Sequence, residues 1–164
     1  MLLATWLFAI QLAAPSGAFD VRRAVDDPCV MNAFAQLLKR GEGILGKVEA
    51  AAFLVRDDDG SLMMVLWPRT EFSRKETFRG AIPPGTVAIV HTHPPRMERP
   101  SRGDLAEAKR LGLPIYVVTF WQVWVADPSS ETALLIASQK SWRSAERNGC
   151  RPAIELTRAD LRPR

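Results

Sequence analysis

Only two histidines occur in the chain, and they stand one residue apart as His91-Thr92-His93. In an extended strand, side chains alternate between faces, so residues two apart point the same way. The two imidazoles therefore converge on one side, close enough to share a metal ion. A proline-rich loop, Pro94 to Pro100, follows and leads into Ser101-Arg102-Gly103-Asp104. Ser101 and Asp104 fall in the first turn of the next helix, where Asp104 can supply a third ligand. Two histidines and one carboxylate leave a fourth tetrahedral position for water, the pattern of a catalytic rather than a structural zinc. Zinc can bring the pKa of such a water toward about 7. Two plainer readings stay open: Ser-x-x-Asp is close to a helix capping box, and paired strand histidines can be exposed or hydrogen-bonded in a core. Capping and ligation do not exclude each other, because a helix end can hold the carboxylate that binds the metal.

These residues need elements to position them. Val30 to Arg40 carries apolar residues at helical spacing and ends in Lys39-Arg40 before Gly41, as helix C-termini prefer. Val48 to Val55 and Leu62 to Trp67 are apolar runs separated by Asp57-Asp58-Asp59-Gly60, which predicts a hairpin. Thr86 to His93 is rich in β-branched residues, which predicts a strand ending at the histidines. Asp104 to Leu111 predicts a helix stopped by Gly112 and Pro114. Ile115 to Phe120 and Gln122 to Val125 predict a strand pair, and Ala133 to Ala137 with Ala153 to Leu156 predict further strands. The order gives one α+β domain, a mixed β-sheet flanked by helices, spanning residues 19–164 with an unassigned C-terminal extension from about residue 129.

The motif His91-x-His93-x(7)-Ser101-x(2)-Asp104 resembles the JAMM motif of the JAB/MPN/Mov34 metalloprotease family at each position. That family carries a glutamate upstream, at the start of a strand after the first helix, and Glu49 in Lys47-Val48-Glu49-Ala50-Ala51 stands at the matching place. The resemblance runs from about Val30 to Val125. It implies a cytidine-deaminase-like fold, a zinc ion on His91, His93 and Asp104, and hydrolysis of a peptide or isopeptide bond. It also implies Glu49 as general acid and base and Ser101 as a partner for the oxyanion. Glu42, Glu71 and Glu76 are rivals to Glu49, which alone sits inside an apolar run, where a charge is costly. The chain is short beside the deubiquitinating members and is more similar to the shorter bacterial ones. A non-catalytic zinc-holding module for binding or assembly is the alternative. Nucleobase deamination is disfavoured, because the paired cysteine ligands of those enzymes are missing.

At 164 residues, with 47% hydrophobic and 24% charged residues, general disorder is excluded. A formal charge of +4 without a dense basic run gives no argument for nucleic acid. Residues 1–18 (apolar Leu2 to Ala14, then Pro15-Ser16-Gly17-Ala18) are expected to form a signal peptide, the alternative being an amphiphilic first helix. The apolar run is short of the roughly 20 residues a membrane span needs, so no stable membrane insertion is expected. Export places the two cysteines, Cys29 and Cys150, where a disulfide can form; two unpaired thiols are the alternative. The expected partner is a peptide or protein substrate, with cell-wall peptide one candidate, and not nucleic acid. Trp121 and Trp124 are expected in sheet packing. Arg96, Arg99 and Arg102 border the metal loop, as solvated charges or as guides for an acidic substrate.

Overall fold

The computed structural model describes residues 19–41, 48–68, 78, 80–94, 97–138 and 151–157. After a 3-10 turn at Arg23–Asp26 come α1 (Pro28–Arg40), β1 (Ala51–Arg56), β2 (Leu62–Leu66), β3 (Thr86–Thr92), α2 (Arg102–Leu111), β4 (Ile115–Val118), β5 (Gln122–Ala126), β6 (Ala133–Ser138) and β7 (Ile154–Glu155). The expected signal peptide, Cys150, Glu42, Glu71, Glu76 and Arg96 lie outside the described residues.

Local chemistry accounts for the boundaries. Asp27 caps α1 by accepting from the N–H groups of Cys29 and Val30 at 2.7 and 3.4 Å, and Pro28 follows in the first turn, where its missing N–H costs nothing. The Asp57–Gly60 turn closes the β1–β2 hairpin; Gly60 adopts φ 83°, a conformation that disfavours other residues. Gly112 ends α2 in the same left-handed region, at φ 66°.

The strands form a seven-stranded mixed sheet in the order β6-β5-β4-β3-β1-β2-β7. The strands expected beyond Ser129 form its two edges, β6 beside β5 and β7 beside β2. At the centre, β3 runs antiparallel to β1 and parallel to β4. Strand alternation splits the buried residues into two clusters, one per face. On one face Val30, Phe34 and Leu37 of α1 pack on Ala52, Leu54, Val90, Tyr116, Val118, Val123 and Val125. On the other, Ala108 of α2 joins Phe53, Val55, Ile89, Ile115 and Ala126, with Leu105 and Leu111 alongside. The helices thus cover opposite faces, and β3 feeds both: Ala88, Val90 and Thr92 toward α1, and Ile89 and His91 toward α2.

Candidate metal centre

The β3–α2 connection brings the predicted ligands together. His91, His93 and Asp104 each offer a ligand atom, and these atoms all lie within 4.8 Å of one another. The histidines come from the carboxyl end of β3, and Asp104 from the first turn of α2, where the chain returns across the same face. A site at the carboxyl ends of parallel strands is the placement favoured wherever a helix crosses between them.

His91 Nε2 lies 2.9 Å from His93 Nε2, His91 Nε2 lies 3.5 Å from Asp104 Oδ1, and His93 Nε2 lies 3.8 Å from Asp104 Oδ2. For tetrahedral zinc with bonds of about 2.0–2.1 Å, ligand atoms stand about 3.3 Å apart. The observed separations bracket that value, so these side chains fit a zinc-sized ion.

The hydrogen bonds around the triad agree with that fit. His93 Nδ1 is 2.8 Å from the Met97 carbonyl oxygen, which can only accept. The proton therefore sits on Nδ1, and the Nε2 lone pair faces the other two ligands. Holding one ring nitrogen in this way fixes the tautomer of a metal-binding histidine. Burial is the largest influence on His91 and lowers its pKa to about 4; Asp104 pulls upward and His93 adds to the lowering. The imidazole stays neutral near pH 7, as a metal ligand must be.

Ser101 is the N-cap of α2. Its Oγ accepts from the Asp104 N–H at 3.2 Å, and its own N–H donates to Asp104 Oδ2 at 2.6 Å, forming a capping box. Both readings of Ser-x-x-Asp hold in one structure: the cap orients Asp104 and leaves Oδ1 on the His91 side. Glu49 immediately precedes β1. Ala51 pairs with His91, and the Thr92 N–H donates to the Ala50 carbonyl at 2.9 Å. Extending that register by two residues sets Glu49 opposite His93, on the imidazole face, although Glu49 is not among the clustered ligands. Cys29, in the first turn of α1, is disulfide-bonded, and its expected partner Cys150 lies outside the described residues.

Several contributors carry no sequence signal. The Met97 carbonyl is a backbone group available to any residue. Thr92 faces away from the site, and its Oγ1 accepts from the Ala50 N–H at 2.9 Å, tying β3 to the start of β1. Gly41 permits this packing, since a Cβ there would come within 2.7 Å of Thr92 Oγ1. Trp124 is buried as expected, but Trp121 departs from the expectation: it is 41% exposed in the β4–β5 connection, where a tight turn has no layer above it.

A family model described as prokaryotic homologs of the JAB domain (Prok-JAB) matches residues 46–145. No curated protein matches the chain. Among solved structures, the solution structure of a protein from Salinibacter ruber is 18% identical, covering 77% of this chain and 90% of that one with a TM-score of 0.31, a likeness too slight to carry an argument.

Proposed function

The chain belongs to the prokaryotic JAB-domain family, and from that premise we propose that it is a zinc-dependent peptidase that hydrolyses a peptide or isopeptide bond. The observation that carries this reading is the convergence of His91, His93 and Asp104 with His93 Nδ1 tied to the Met97 carbonyl. His91 Nε2, His93 Nε2 and Asp104 Oδ1 would hold the metal. When bound, zinc supplies Lewis acidity: it polarises the scissile carbonyl and makes water acidic enough to lose a proton near neutral pH.

The chain's own groups do the rest. Glu49, placed by register opposite His93, takes the proton from the attacking water and returns it to the leaving amine. Ser101 accepts a hydrogen bond through Oγ from the Asp104 N–H, which leaves its hydroxyl proton to donate to the oxygen where negative charge develops. The capping box holds Asp104 and Ser101 in fixed relation, so ligand and oxyanion donor move together. Export through the apolar leader would direct this activity to peptides of the cell envelope or to secreted proteins.

The test combines metal analysis with digestion of a peptide mixture. The purified chain should carry about one zinc, cleave peptides, lose cleavage to a chelator and regain it with zinc. Glu49→Gln should retain zinc and lose cleavage. Zinc bound at full occupancy with no cleavage of any peptide would reject the peptidase in favour of a binding module.

A further inference from the structure

The ligands and the proton carrier leave one charged group beside the centre without a task. Arg99 lies in the loop from β3 to α2, two residues before Ser101, and is exposed. Its guanidinium carbon sits 4.8 Å from the centroid of the Trp124 ring, within cation–π range. That seat is itself held: Trp124 is 8% exposed, and its indole N–H donates to Gln122 Oε1 at 2.7 Å. A guanidinium stacked face-on keeps its edge N–H groups free, and that edge matches a carboxylate in two-point contact.

Position and pairing give the seat its meaning. Trp124 pairs with Val117, and Val117 pairs with His91, so the three form a row across the sheet on the imidazole face. With strands about 4.8 Å apart, two strand spacings put Trp124 about 10 Å from His91. Arg40, Arg110 and Arg151 each have an acidic partner. Among the described residues, no carboxylate pairs with Arg99. An arginine that is anchored, unpaired and beside a hydrolytic centre is a preformed acceptor for an anionic group.

We infer that Arg99, seated on Trp124, is a specificity-determining residue for an acidic peptide substrate, gripping a carboxylate about 10 Å from the amide to be cut, a span of about three extended residues. The assignment rests on the peptidase reading, since it takes the metal centre as the point of cleavage. The carboxylate belongs to an Asp or Glu side chain or to a free C-terminus, and the Arg99 edge meets the same two oxygens in either case.

The test uses the zinc-loaded full chain and a randomised octapeptide mixture prepared with free and with amidated C-termini. Peptides retained by the Glu49→Gln protein are identified by mass spectrometry. Retained peptides should be enriched roughly tenfold in Asp or Glu over Asn or Gln at one position, or in free over amidated termini, as expected for a charge-assisted pair. Which arm responds identifies the source of the carboxylate. Adding Arg99→Ala should bring the enrichment within about twofold of unity, with zinc content and circular dichroism unchanged, whereas Arg102→Ala, which removes an equal charge with no aromatic seat, should preserve it. Enrichment that survives Arg99→Ala, or none at all in the parent protein, overturns the inference. Digestion of the same mixture by the wild-type chain separates the two readings. Cleavage without acidic preference rejects the Arg99 role and spares the peptidase. Arg99-dependent retention without cleavage supports the carboxylate seat and rejects the peptidase.

Discussion

The two faces of the sheet are drawn from the same strands yet serve opposite ends. Toward α1, side chains pack as a continuous apolar layer, from Val30, Phe34 and Leu37 to Tyr116, Val118 and Val125. Its conspicuous polar atom is the Tyr116 hydroxyl, which donates to the Val21 carbonyl at 2.8 Å; burial, and secondarily the charges of Asp20 and Asp127, push its ionisation far above the ordinary tyrosine range. Toward α2 the apolar cluster is smaller, and past Ile89 it gives way to His91, His93 and Asp104. One face therefore supplies most of the burial that drives folding, while the other gives up part of its apolar area to a polar site.

If this division is right, substitutions on the two faces should fail in different ways. The largest expected effect is on the α2 face: His93→Ala should abolish zinc binding, read by metal analysis, because two remaining ligands do not complete a zinc site. Far-ultraviolet circular dichroism should stay native, and a global loss of fold would break the comparison by making the site part of the scaffold. On the α1 face, Phe34→Ala should cost about 3–5 kcal/mol in denaturant unfolding, with zinc still bound by the molecules that remain folded. Acid should act through the α2 face. His91 has its folded pKa depressed from 6.5 to about 4, so the unfolded chain binds the proton first. The stabilisation is whole above about pH 6.5 and is lost as pH falls toward 4. In chelator-treated protein the melting temperature should decline across that window, and His91→Gln should flatten the decline. The smallest effect belongs to the cap: Ser101→Ala should cost about 1 kcal/mol of stability and also weaken zinc binding, since Asp104 loses a fixed partner. Lost stability with unchanged zinc affinity would show that the cap and the ligand are independent.

Much of this was legible in the residues because it is local. Period-two alternation put both imidazoles on one side, the three-residue offset from Ser101 to Asp104 marked a helix start, and the Asp-Gly turn marked the β1–β2 hairpin. Each depends on neighbours within a few positions. What could not be read depends on where distant segments meet. The Met97 carbonyl has no side-chain signature, the seat of Arg99 on Trp124 depends on how one loop crosses a later strand, and the parallel pairing of β7 with β2 joins residues far apart in the chain. Glu49 stands between these cases. Its place before an apolar strand was visible, but its position opposite His93 follows only from the β1–β3 register.

The alternation along β3 also limits how such a protein can change over generations. Adding or deleting a single residue between Thr86 and His91 would swap the parity of everything after it, turning both imidazoles into the apolar layer under α1 and aiming Val90 and Thr92 at the site. No second change elsewhere would repair both losses at once. Length variation is thus confined to steps of two within this strand, or displaced to its flanking loops, so new substrate preferences should arise by remodelling the borders of the site while the strand that carries its histidines keeps its frame.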